Sequence, residues 1–411
     1  MWTPRNTLIL GMLIAESILG FAESQIIALL KPMLQESLHW SDSDYGRLTS
    51  ISQFSSAIAL LGSGWIVDRI GWRLANPMSM GMRSVAAVAH AFTNTLGQFT
   101  IARVVLGTAE SFATPTVIKT IAAVFKNEDR ALAIGIMNMI SAPGLMLTSM
   151  AIPWLALQIG WQYSFVFTGG LGLAWVVVWL ILSPGKEPDH VPIENSTAAE
   201  TLRWRMVVAD RRTWTIAGAK VLSDPVYWLF LFWMPDLFHR VFHLSLAEYG
   251  LPLAVIHACA AFGSLMGGWI PRQMMKRGAS LNTARKISLF AAALMVTPVW
   301  LVLLVEDYWI ATAILGLTLA GHQAFSVNIF ALATDITPAP RVATVISLSA
   351  FSGRLAGTVV LQGAGWILGA GYGYGPLLGL ASIFYLLGFG WVQLLQPNIG
   401  GSTGQTGQVE Q

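Results

Sequence analysis

Charge is what this sequence has least of. Asp, Glu, Lys and Arg make up 11% of its 411 residues, where a soluble domain carries roughly a quarter. With 55% hydrophobic residues and a mean hydropathy of +0.61, a wholly polar exterior is excluded. Much of the surface must face lipid. Cysteine is nearly absent too. The single Cys259 excludes an intrachain disulfide and any thiolate metal cluster, and reads as a small buried side chain. The net charge of +3 is too small to suggest a nucleic-acid surface. No G-x-S-x-G, H-E-x-x-H, Walker loop, dinucleotide fingerprint or zinc-ligand cluster occurs. The chain is therefore read as no enzyme, without cofactor or metal.

What is abundant is apolar length. A membrane helix needs roughly 20 mostly apolar residues. Twelve such stretches are found, at about 8–30, 47–67, 75–96, 98–121, 131–157, 161–182, 213–238, 249–271, 286–305, 308–333, 342–370 and 374–395. The opening MWTPRNTLIL leads straight into the first of them. It shows no small-residue cleavage site, so it reads as a first helix and not as a signal peptide. An all-α polytopic membrane protein follows, with lipid bilayer as its main partner.

Positive charge sets the orientation. With both termini inside, the cytoplasmic stretches hold sixteen Lys and Arg, and the opposite loops hold only Arg47 and Arg240. The positive-inside rule then predicts cytoplasmic termini; the location expected for the chain is a plasma membrane, as a bacterial inner membrane. The longest loop divides six spans from six. The expected organisation is a six-helix bundle over 1–182, a cytoplasmic linker over 183–212, a second six-helix bundle over 213–396, and a disordered cytoplasmic tail over 397–411. GSGWIVDRIGWR (62–73) and MGGWIPRQMMKRG (266–278) end the second and eighth spans, an echo between the halves. Two related bundles suggest alternating access around a central site.

GWIVDRIGWR resembles the signature loop of the major facilitator superfamily. In that family the acid and bases steady one end state, which assigns Asp68, Arg69 and Arg73 a gating role. Gly64 is expected to allow close helix contact and Gly71 a tight turn. Four further runs, ARVVLGTAESFATPTVIK (102–119), LSDPVYWLFLFWMP (222–235), LNTARK (281–286) and GHQAFSVNIFALATDITP (321–338), are similar to the hexuronate transporters of the anion:cation symporter branch. The resemblance implies proton-coupled import of a sugar acid such as glucuronate, galacturonate or an aldonate. The partners would be a small organic anion and protons, carried by a monomer.

Ionisable groups inside the membrane cost several kcal/mol unless paired or wet. Arg103 and Glu110 lie seven apart, on one face of the fourth span. The resemblance makes Glu110 the proton site and places Arg103 on the anion route; an ion pair with another helix is the alternative for each. FAESQIIALLKP (21–32) is similar to a family run reading Tyr-Ile-Asp-Arg-Gln. Glu23 keeps the acid, a second proton-coupling position, and Gln25 keeps the amide. Ser24 stands where the substrate-gripping Arg is expected, so a bidentate, charge-assisted grip is lost there. Arg83 and Arg354 stand where the family has Trp and Gly. Arg354 is the better replacement for the lost charge, with pairing to Glu16 or Glu23 as the other possibility. Arg83 is read as structural, because third helices of this fold mostly pack outside the cavity.

Lys220 and Asp224 are spaced for a local ion pair, and Pro225 interrupts the ladder, as a gate helix needs. Tyr227 and Trp228 could clamp a sugar face or simply pack. His322, Gln323, Ser326 and Asn328 in the tenth span, and Asn138 and Ser141 in the fifth, are further substrate-binding candidates. Asp335 is expected to pair with an Arg such as Arg341. The missing Arg at position 24 keeps open a different organic anion, or a neutral or cationic solute. A non-transporting receptor is the reading from a different class.

Overall fold

The computed structural model of the chain describes residues 3–183, 205–338 and 341–399. Its described residues are helical with no strand, and they make twelve passes. The first span is Pro4–Leu29, followed by a short helix, Lys31–Leu38. The second is Asp42–Ile70 and the third Trp72–His90. The fourth is split into Leu96–Glu110 and Ala113–Val124. The fifth and sixth run as Asn127–Leu182, interrupted at Gly160, whose φ of 86° turns the chain back. The seventh is Arg211–Phe242, the eighth Gly250–Lys276, and the ninth Leu281–Val296 continued by a 3-10 stretch, Thr297–Leu304. Tyr308–Ile336, Val342–Gly369 and Gly375–Leu395 complete the second bundle. Eight described helices are long and apolar enough to cross a membrane by length and composition alone. Large apolar side chains such as Trp65, Phe92, Trp154, Phe262 and Leu394 cover the outside. Such an outside suits lipid, where every backbone group must be satisfied within its own helix.

Capping chemistry sets the turns. Gly71 ends the second span at φ 78°, the tight turn its sequence predicts. Gly64 does not serve the contact expected of it, since a side chain there would meet open space. The linker and tail lie largely outside the described residues.

The two halves meet at the end away from the termini. Here an unanticipated repeat appears. His39-Trp40-Ser41-Asp42-Ser43-Asp44-Tyr45-Gly46 and His243-Leu244-Ser245-Leu246-Ala247-Glu248-Tyr249-Gly250 share H-x-S-x-x-acid-Y-G. In both, the His takes a left-handed conformation, φ 53° at His39 and 56° at His243. In both, the Ser backbone N–H and hydroxyl donate to the acid three residues on. Each Tyr then crosses to the other bundle. Tyr45 Oη donates to the Phe232 carbonyl at 2.6 Å, and Tyr249 Oη donates to the Leu29 carbonyl. The related bundles thus hold one another by the same residue, used twice in opposite directions. Gly46 packs against Gly365, where any Cβ would clash, so the second and eleventh spans touch backbone to backbone.

Candidate functional site

A cavity of about 480 Å³ lies between the bundles at mid-depth. It is walled by the first and fourth spans on one side and by the seventh and eleventh on the other. The fourth span breaks just after Glu110, at Ser111 and Phe112, which leaves the carboxylate at the cavity wall. Ser24 Oγ donates to Glu110 Oε2 at 3.3 Å. From the opposite bundle, Arg354 brings one guanidinium nitrogen to 3.8 Å from Glu110 Oε1. The same nitrogen donates to Ser56 Oγ at 2.7 Å and Gln53 Oε1 at 3.4 Å. The guanidinium also lies over the Trp228 ring, 5.2 Å from its centroid. Arg354 and Ser24, the position where the resemblance expects an arginine, thus meet the same carboxylate, and Arg354 pairs with Glu110 instead of Glu16 or Glu23. Gln25, Tyr227 and Trp228 line the same cavity.

Glu23 lies behind this wall, in a buried cluster. It accepts from Ser84 Oγ at 2.7 Å and has Arg83 Nε at 3.6 Å. Glu16 is buried nearby with neither carboxylate oxygen hydrogen-bonded. Arg103 is buried and does not line the cavity; its Nε and one terminal nitrogen have no hydrogen-bond partner. Arg103 and Glu110 thus share a helix face without sharing the pocket.

The tenth-span candidates fall outside the cavity lining. His322 stacks on Tyr227 at 4.5 Å between centroids, and its Nδ1 is 2.5 Å from Tyr385 Oη. Ser326 accepts from Lys220 Nζ at 3.3 Å, while Lys220 pairs with Asp224 at 2.7 Å, the local pair expected. Asn328 donates to the Gly267 and Ala324 carbonyls. Gln323 is half-buried. The side chains of Asn138 and Ser141 lie outside the described residues.

At the termini end, Asp68 pairs with Lys119 of the fourth span at 3.1 Å. Arg69 covers the Trp65 ring and Arg73 donates to the Ser183 carbonyl. Asp335 pairs with Arg285 at 2.8 Å, and Arg341 turns to Asp210 at 4.0 Å. These pairs stay within one half.

The far end carries a cluster that the sequence reading passed over. Lys31 Nζ, fully buried, lies 2.8 Å from Asp42 and 2.6 Å from Asp236 of the other bundle. Arg240 pairs with the same two acids at 2.8 and 3.3 Å. Tyr374 Oη donates to Asp236 at 2.5 Å. Two cations and two carboxylates bolt the bundles together beside the crossed tyrosines. Asp236 and Arg240 are four apart on one helix, a local spacing, but Lys31 and Asp42 join them from the other half, which no local spacing announces.

A six-plus-six bundle, a D-R-x-G-x-R turn and a cavity between the halves agree with a match to the Major Facilitator Superfamily over residues 12–361. The chain belongs to that superfamily. It is a family of transporters and not of enzymes. The chain is 26% identical to the hexuronate transporter of Escherichia coli K12 over 392 residues, covering 90% of this chain and 89% of the relative. It is 22% identical to the D-galactonate transporter of Escherichia coli O6:H1, with 93% and 94% covered. A solved bacterial homologue of the human lysosomal transporter Spinster, inward-facing and occupied, superposes with a TM-score of 0.78 at 16% identity, covering 97% of this chain and 98% of that one.

Proposed function

We propose that this protein imports an organic anion of the sugar-acid class together with protons, across a plasma membrane with both termini in the cytoplasm. The observation that carries the reading is the Ser24–Glu110–Arg354 contact. A guanidinium from one bundle faces a carboxylate from the other across the cavity. While Glu110 is ionised it occupies the charge that a substrate carboxylate would need. Protonation of Glu110 releases Arg354 to the substrate, so proton and anion load together. The relatives named for hexuronate and galactonate transport support this class, and the sixteen-to-two distribution of positive charge supports the orientation.

Movement follows from the two ends. The ion pairs and crossed tyrosines hold the far end shut, and the contacts of the Asp68 turn remain within one half. Rocking of the bundles, 1–182 against 213–396, would break the first set and form a new closure at the termini end. Glu23, buried against Arg83 and Ser84, is a second proton-coupling position, and Gln25, Tyr227 and Trp228 would read the sugar. The test is uptake into proteoliposomes with an imposed pH gradient. Acid-driven accumulation of a labelled hexuronate or aldonate is expected. Equal uptake with and without the gradient removes the coupling. No uptake of any sugar acid removes the substrate class.

A further inference from the structure

The cavity holds a second cation that helix order would not place there. Arg83 belongs to the third span, which packs behind the first, yet it lines the cavity. Gly20 is the reason. A Cβ at Gly20 would collide with the Arg83 guanidinium, so the bare Cα of the first span leaves a window through which the side chain reaches the cavity wall. The side chain is 5% exposed and its Nε has no hydrogen-bond partner. The nearest acid oxygen, on Glu23, is 3.6 Å away, beyond a hydrogen bond. A desolvated guanidinium left incompletely bonded at a cavity wall is a costly arrangement that an anion would relieve.

We infer that the cavity binds a dianion, a short hydroxylated chain with a carboxylate at each end, one taken by Arg354 and the other by Arg83. This rests on the organic-anion reading above and narrows it. The two cations stand at different levels of the first span. Arg354 and Glu110 meet at Ser24, and Arg83 lies against Gly20 one turn earlier. Four residues of helix rise about 6 Å, which suits the separation of the ends of a short linear diacid. Each guanidinium has its own carboxylate, Glu110 for Arg354 and Glu23 for Arg83. A monoacid would satisfy one couple and leave the other as it stands. A diacid satisfies both, and Gln25 and Gln53 line the same cavity, where they could meet its hydroxyls.

The test is calorimetry on the purified full chain with three six-carbon ligands: an aldarate, a hexuronate and an aldonate. The wild type should bind the aldarate at least ten-fold more tightly than either monoacid. Arg83→Gln should weaken the aldarate at least ten-fold more than the monoacids, whereas Arg354→Gln should weaken all three. Arg83→Lys, which keeps the charge and so the balance with Glu23, should retain part of the preference if the Gln variant fails to fold. Equal affinity of the wild type for diacid and monoacids overturns the proposal while leaving sugar-acid binding intact. So does an equal loss for all three ligands in folded Arg83→Gln. Binding of none of the three by the wild type overturns the underlying reading as well.

Discussion

Arg354 and Glu110 face each other across the central cavity at 3.8 Å, and they come from opposite bundles. Because the pair spans the interface between the bundles, its two members answer to different experiments, one on binding and one on coupling.

Arg354→Gln should weaken an anionic ligand far more than a neutral analogue. Removing one partner of a buried, hydrogen-bonded charge pair costs roughly 2–5 kcal/mol. The side chain is one-fifth exposed, so the lower end of that range applies. Calorimetry with the acid and the corresponding alcohol or amide makes the comparison. An equal loss for both would assign Arg354 to architecture. Adding Ser24→Arg should then recover acid binding, because position 24 already touches Glu110.

Glu110→Gln should abolish accumulation driven by a pH gradient and preserve exchange of labelled for unlabelled substrate. Gln keeps the size and an acceptor for Ser24 but cannot release a proton. Both readouts come from one proteoliposome preparation. Gradient-driven accumulation by the variant would move coupling elsewhere, with Glu23 the next position to change.

Much of the architecture was legible because it rests on local signals. Span length, the Gly71 turn and the Lys220–Asp224 pair follow from spacing within one helix. The site was legible in part. Glu110, Gln25, Tyr227, Trp228 and Arg354 reach one cavity, whereas His322, Ser326 and Asn328 bond within the second bundle. The difference lies in helix rotation. Polar residues on a span show that it has a polar face, but not which neighbour that face meets. Arg83 was placed outside the cavity because its helix is, and the missing clue was a glycine on a different helix. The repeated H-x-S-x-x-acid-Y-G stretch was visible in the sequence all along, although its crossed partners were not.

Asp68→Asn should slow cycling with little change in ligand affinity, since neither Asp68 nor its partner Lys119 lines the cavity. Reversing both charges, Asp68→Lys with Lys119→Asp, should restore uptake better than either single change. Vesicle uptake is compared with equilibrium binding. Parallel loss of binding and uptake in Asp68→Asn would show that the turn acts through the central site, and failure of the double reversal would show that Lys119 is not the partner that matters.

Lys31→Met should open the far end, and a second neutralisation should close it again. Lys31 is fully buried between Asp42 and Asp236, and Arg240 touches the same two acids. The four charges balance. Losing Lys31 leaves two carboxylates on one guanidinium, a buried surplus of negative charge. Breaking a buried pair from one side typically costs about 3–5 kcal/mol, enough to shift a two-state equilibrium by two orders of magnitude or more. The closed far end bears that cost, because opening lets water reach the surplus charge. Lys31→Met with Asp236→Asn removes one charge of each sign and leaves Asp42 with Arg240, a bidentate pair at 2.9 and 2.8 Å. Ser50 reports the state of the interface, being buried with its hydroxyl 3.2 Å from Gln362 of the other bundle. In a Cys259→Ser background, Ser50→Cys should be alkylated slowly by a membrane-impermeant maleimide. Adding Lys31→Met should speed labelling at least ten-fold, and the double neutralisation should return it most of the way. Equal labelling of single and double variants would mean that the lock works by packing around Tyr45 and Tyr249 and owes little to charge balance.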